Sequence, residues 1–242
     1  MSPVAGATIV RQRSSDVVGV TWSAAEPTLP EDLLLLMFQP GSRAISGGDA
    51  LLSVLAGAVL ADLALDGRVS TTKSTGTVMV EAVQGRAPTD EILRRAWAYL
   101  ADRPRGIQAA LAAIGPTVRT PLLARLVARG DIREQRHGGL GPFSTTTLMD
   151  GGSARRARLL SDVRDVVIGG TEPTPRVAAL AGLLWGSGTL PELHRSSAGA
   201  CARQLDRGQW VVGAAAAMVT RTTNAIIAGS VVIAAGVPAR AR

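Results

Sequence analysis

The sequence predicts a mainly α fold, a single helical-bundle domain around one buried central helix, with one or two β-hairpins. Three observations carry that reading. Residues 51–65 are apolar on nearly every helical face, with only Ser53 and Asp62 interrupting, which marks a helix buried all round. Aromatic residues are 3% of the 242-residue chain, so Ala, Val and Leu must fill the core, which suits close-packed helices. Finally, two segments run from a leucine-bearing helix pattern through a glycine into a β-branched stretch. They are Leu60-x-x-Leu63-x-x-x-Gly67-x-Val69 and Leu123-x-x-Leu126-x-x-x-Gly130-x-Ile132. Glycine supplies the left-handed residue that ends a helix.

Residues 1–28 mix Ser, Arg, Gly and Pro with scattered apolar residues, the composition of a loosely ordered leader. The domain begins at Leu29, where Pro30, Glu31 and Asp32 open a helix that runs into leucines. The central helix covers 49–65, with Leu55, Val59 and Leu63 as its most buried positions. Residues 69–73 and 77–83 flank Ser74-Thr75-Gly76, a hairpin pattern. Pro88, Thr89, Asp90 and Glu91 start the next helix, through Ile92, Ala96 and Leu100. Residues 104–114 read as a short helix and 116–129 as another, ended by Gly130, with a second strand pair whose later strand lies over 142–149. Further helices are predicted over 153–167, 175–185, 197–205 and 209–218. The tail over 224–237 is either a continuation of the last or a separate apolar helix, ended by Pro238. The organisation is thus a leader (1–28), one domain (29–223) and an apolar extension (224–242).

The net charge is +7, yet Lys73 is the only lysine. Arginine with abundant Ala, Gly and Val reflects GC-rich bacterial coding, so the charge supports an anionic partner only modestly. Cys201 is alone, which excludes a disulfide framework and points to a reducing compartment. His137 and His194 with one cysteine match no zinc spacing, and no metal or cofactor is expected. Arg11 and Arg13 are not followed by the apolar run of a signal peptide. The apolar run over 225–237 is shorter than the roughly 20 residues that span a bilayer. A soluble cytoplasmic protein is the expectation.

No catalytic constellation stands out. Asp62 has no companion acid or base and reads as the buried partner of an arginine such as Arg68. Gly186-Ser187-Gly188 lacks the Gly-x-Ser-x-Gly spacing of a nucleophile elbow, and Cys201 reads as a small core residue. The chain is expected not to be an enzyme.

Several segments occur in an order that resembles the Golgi phosphoprotein 3 family. They are the acidic helix start at 29–38, the small-residue helix ending in Leu63-Ala64-Leu65-Asp66-Gly67-Arg68, and the run from Val118 through Arg119 to Gly130. Asp162-Val163-Arg164-Asp165-Val166-Val167 with the stretch from Arg176 to Leu184, and Trp210-Val211-Val212-Gly213-Ala214-Ala215, complete it. The resemblance covers roughly residues 29–220. It implies a helical bundle that binds phosphatidylinositol 4-phosphate at a membrane surface and acts as a non-catalytic adaptor for a protein client, with a β-hairpin used in oligomerisation. The family's lipid pocket uses a tryptophan, an arginine early in the buried helix and two arginines three apart. Arg119 matches the second of that pair, while Pro116, Ala56 and Gly47 stand at the other places. The resemblance therefore implies Arg119 as a headgroup ligand, and Arg43, in the loop before the central helix, is a second candidate. Binding to anionic phospholipid at the inner face of the cell membrane is expected, with little selectivity for phosphatidylinositol 4-phosphate.

The alternative is a winged-helix-like nucleic-acid binder. Its support is the basic charge, the helix-Gly-strand-strand outline, and Arg125, Arg129, Arg133 and Arg136 around the wing. The helix over 122–129 holds no Asn or Gln to read base edges, so such binding would be backbone-driven and salt-sensitive. Arg155, Arg156 and Arg158 read first as a solvated face, and otherwise as a contact for acidic headgroups or a nucleic-acid backbone.

Overall fold

The computed structural model describes residues 26–74, 77–137, 145–167, 172–189 and Ile226. The helices predicted over 197–205 and 209–218, Cys201, His194 and the leader over 1–25 lie outside the described residues. Of the tail over 224–237 only Ile226 is described, and it is buried in the core.

Helix α1 (Leu29–Met37) starts where the sequence places it. The Glu31 carboxylate accepts from the Thr28 N–H (2.7 Å) and the Thr28 hydroxyl (2.8 Å), and Pro30 sits in the first turn, where a missing N–H costs nothing. All nine residues of α1 are buried, both acids included. A short ribbon follows, β1 (Phe38–Gln39) against β2 (Ala44–Ile45). Two residues per strand carry no readable period, so the sequence did not announce it.

After a 3₁₀ turn at Gly48–Ala50 comes the central helix α2 (Leu51–Leu65). Leu55, Val59 and Leu63 are all fully buried, as their positions in an all-apolar helix require. The stretch Gly48–Leu65 is long and apolar enough to cross a membrane, and most of it is buried inside the fold. Strands β3 (Val69–Ser74) and β4 (Thr77–Ala82) form the expected antiparallel hairpin, with Val69 opposite Ala82. Helix α3 (Glu91–Ala101) is capped by Asp90, whose side chain accepts from the Ile92 and Leu93 N–H groups. Strand β5 (Arg105–Gly106) then adds a third strand beside β4.

Helix α4 (Ile107–Ala128) departs from the sequence reading. The break expected between two helices at Gly115-Pro116 does not occur, and 22 residues run through Pro116 and Pro121. Each proline removes the N–H that would reach the carbonyl four residues back. Those carbonyls belong to Ala112 and Thr117, which are exposed, so water can satisfy them. Gly115, by contrast, faces inward: a Cβ there would lie 2.7 Å from the Leu52 carbonyl oxygen. Glycine is needed because α4 meets the start of α2 backbone to backbone.

Strands β6 (Ile132–His137) and β7 (Thr145–Asp150) form the second hairpin, with Ile132 opposite Asp150. Helices α5 (Arg155–Val167) and α6 (Pro175–Gly186) complete the bundle. Helix α2 packs against α1, α3, α4 and α6, which makes it the centre of a mainly α domain.

The two helix-to-strand passages close in the same way. At Gly67 (φ 62°) the Arg68 N–H reaches Leu63 O and the Gly67 N–H reaches Ala64 O. At Gly130 (φ 75°) the Asp131 N–H reaches Leu126 O and the Gly130 N–H reaches Val127 O. Both are Schellman closures. Helix α6 ends likewise, at Gly188 and Thr189, so the echo is local physics shared by three helix ends. Truncating the centre of the core tests the burial: Leu63→Ala is expected to lower the unfolding free energy by about 2–5 kcal/mol in urea denaturation.

Candidate functional site

The first turn of α1 carries two carboxylates into the interior, and arginines from distant elements converge on them. Asp32 Oδ1 accepts from Arg155 Nη2 (2.6 Å) and Nε (3.1 Å), while Oδ2 accepts from Arg176 Nη2 (2.6 Å) and Nε (3.1 Å). Each guanidinium thus places two N–H groups on one oxygen of the carboxylate, and all four bonds are charge-assisted. Arg155 also donates to Asp131, which takes the Ser153 hydroxyl as well. Arg176 further donates to Pro27 O (2.7 Å) and lies 3.5 Å from Asp62. Asp62 reaches across from α2 to accept the Leu29 N–H at 2.8 Å. On the other side, Glu31 faces Arg129 (3.3 Å) and Arg125 (3.9 Å), and Arg125 also donates to the Asp90 cap of α3.

This network reassigns most of the arginines singled out in the sequence. Asp62 pairs with Arg176 rather than with Arg68, because Arg68 turns to Asp66 and to the carbonyls of Arg86 and Ala87. Arg155 is a half-buried strut between Asp32 and Asp131, not part of a solvated face. Arg156 is half-buried and donates from Nε to Phe38 O (3.1 Å), and only Arg158 of the three is exposed. The wing arginines are equally engaged. Arg125 and Arg129 hold Glu31, and Arg133 donates to Gly151 O; the side chain of Arg136 lies outside the described residues. A nucleic-acid surface on this helix would have to break buried ion pairs, and truncating one partner of such a pair costs about 3–5 kcal/mol. These roles were hidden in the sequence because the partners stand 123 and 144 positions apart.

Arg119 and Arg43 are different. Arg119 is exposed midway along α4 rather than at a helix start, since α4 is continuous. It stands one turn beyond Gly115, whose backbone meets Leu52 at the start of α2. Leu52 is itself a large apolar residue left exposed (36%). Arg43 is exposed in the β1–β2 turn, at a left-handed φ of 57° that a non-glycine residue rarely adopts. Neither arginine makes an ion pair or side-chain hydrogen bond with a described residue.

A cleft of about 300 Å³ opens beside that turn, lined by Leu36, Gln39, Pro40, Ser42, Arg156 and Leu184 among others. Its one guanidinium, Arg156, is held below the usual arginine range by burial, an effect that the Asp150 charge partly offsets. Among the described residues, no group of three His, Cys, Asp or Glu side chains could hold a metal ion.

Burial pushes the Asp62 carboxyl up to about 6, against the Leu29 N–H and the Arg176 charge, which both favour ionisation. The folded chain therefore holds this proton more tightly than the unfolded chain does. Stability from the group is full below the ordinary value of 3.8 and is lost as pH rises through about 6. Between about pH 5 and about pH 7 the wild type is expected to lose on the order of 1 kcal/mol relative to Asp62→Asn. Urea denaturation of both chains across that range measures it.

The comparisons with known proteins agree with the architecture. No curated protein matches the chain. A family model described as Golgi phosphoprotein 3 (GPP34) matches residues 29–222, from the first residue of α1 to well past α6. That span covers more than half of the chain and includes the acidic start of α1, the central helix and α4 with Arg119. The chain belongs to the Golgi phosphoprotein 3 (GPP34) family.

Proposed function

We propose that the protein is a non-catalytic peripheral adaptor that docks on anionic phospholipid at the inner face of the cell membrane and holds a protein client there. The observation that carries this reading is Arg119. It is an exposed cation with no described partner, on a helix fixed against the start of α2 by the Gly115–Leu52 approach. The exposed Leu52 and Pro116 give that neighbourhood apolar surface beside the charge. The positive end of the α2 dipole favours an anion in the same region, although the 3₁₀ turn already takes the Leu51 N–H onto Gly48 O. Asp49, in the turn that precedes α2, offsets part of that field.

The family pocket is only partly present, since Pro116, Ala56 and Gly47 replace its other members. Binding should therefore be electrostatic and shallow, with slight preference for phosphatidylinositol 4-phosphate over other lipids of equal charge. Arg43 supplies a second cation from the β1–β2 turn. The β6–β7 ribbon, which no other described strand joins, supports self-association through a hairpin, because unpaired strand edges accept a partner's backbone.

Co-sedimentation with anionic and neutral liposomes tests the reading, run beside a DNA gel shift. The wild type is expected to bind anionic vesicles, less so as salt rises, and to leave DNA unshifted. Arg119→Ala should leave the melting temperature nearly unchanged, since exposed substitutions usually stay within about 0.5 kcal/mol, and should weaken vesicle binding. Arg119→Lys should restore only part of it, keeping the charge but not the planar fork. Equal binding by wild type and Arg119→Ala would remove this arginine from the lipid surface.

A further inference from the structure

The cleft beside the β1–β2 turn lies apart from the Arg119 surface. Its walls come from the end of α1, the turn over 40–43, the start of α5 and the end of α6. Leu36, Pro40 and Leu184 give it an apolar side; Ser42, Ser46, Thr189 and Arg156 give it a polar one. What those polar groups still offer decides what could fill it.

Arg156 has five N–H donors, and among the described residues Nε–H alone is engaged, to Phe38 O at 3.1 Å. Among the described residues its Nη groups have no acceptor. Asp150 is the acid whose charge reaches it, and the two form no ion pair. A half-buried guanidinium with unused donors favours an acceptor-rich anion of matching planar spacing, such as a phosphate or carboxylate. The hydroxyls are engaged in the opposite sense. Ser46 Oγ donates to Met37 O (2.7 Å) and Ser42 Oγ donates to the Gln39 side-chain oxygen (3.0 Å). Each therefore presents lone pairs to the cleft, and a ligand must bring its own hydroxyl donors to meet them.

We infer that this cleft binds a small phosphate monoester that carries hydroxyl groups, with its phosphate on Arg156 and its hydroxyls on Ser42 and Ser46. A carboxylate would satisfy only one edge of the guanidinium, whereas a phosphate dianion has a third oxygen for the remaining donors. A volume of about 300 Å³ is at the small end for ligand sites, which suits a glycerol- or sugar-sized phosphate rather than a nucleotide. Such a group occurs both as a free metabolite and as a lipid headgroup.

Calorimetric titration of the full chain with glycerol 3-phosphate, and with glycerol as the uncharged control, tests the site. Saturable binding of the phosphate and not of glycerol is expected. Arg156→Gln should weaken it on the order of tenfold or more, the loss typical of hydrogen bonds to a charged group. Because Arg156 also holds Phe38 O, a second variant leaves that contact alone. A Cβ on Gly41 meets open space, so Gly41→Glu sets a like charge at the rim without disturbing the turn, and it should weaken binding comparably. Arg119→Ala should bind glycerol 3-phosphate as the wild type does, which separates this site from the proposed lipid surface.

Vesicles of phosphatidic acid in phosphatidylcholine distinguish the sources. Retention of Arg119→Ala on them, with release by glycerol 3-phosphate, assigns a headgroup; titration without retention assigns a free phosphate ester. The inference is overturned by an absence of saturable binding, by unchanged affinity in both cleft variants, or by a loss that follows Arg119→Ala instead.

Discussion

The double grip of Arg155 and Arg176 on Asp32 is the contact on which the rest of this bundle depends. Helix α1 is buried along its whole length, so its two acids cannot reach water and must be neutralised inside. Asp32 is met by one arginine from α5 and one from α6, and Glu31 is met by Arg125 from α4 and by Arg129, which closes that helix. Through Asp62, Asp90 and Asp131 the same set reaches α2, the α3 cap and the start of β6. An apolar α1 could pack in several rotations about its axis. A helix with two buried acids that must each meet particular guanidinium groups packs in one, so the network supplies register more than stability.

That division of labour explains which arginines remain for binding. Most of the prominent ones in the sequence are internal struts or carbonyl donors. Arg119 and Arg43 remain exposed and unpaired among the described residues, as do Arg94 and Arg158. The number of arginines is therefore a poor guide to the surface chemistry, because Arg125, Arg129, Arg155 and Arg176 face inward acids. It also bears on the nucleic-acid alternative, whose recognition-helix candidates Arg125 and Arg129 are both turned toward Glu31.

Much of the fold was legible in the sequence because it is governed by local signals. The capping acids of α1, the all-apolar face of α2 and the glycines after α2 and α4 each act within a few residues. The hairpins at 69–82 and 132–150 followed from the same glycine-to-strand passages. The continuity of α4 was not legible, since whether a proline ends a helix depends on where its orphaned carbonyl points. Here the exposed positions of Ala112 and Thr117 decided it. The candidate site was legible only through family resemblance, which singled out Arg119. Nothing in the local sequence separates that free arginine from the internal Arg125, or predicts that Arg156 would line a cleft.

The separation of Asp32 from its two arginines has a consequence for how the chain is made. On a ribosome, α1 emerges with its acids more than a hundred residues ahead of Arg155 and Arg176. Until α5 and α6 follow, the Asp32 carboxylate has neither of its guanidinium partners and α1 cannot seat fully in the core, whatever its leucines favour. The contacts that close the domain are of long range, the kind that slow folding and leave apolar surface open while they wait. The amino-terminal helix is thus translated first and locked last, and a chain halted before α5 would have a leucine-rich helix with no place to hide its charge.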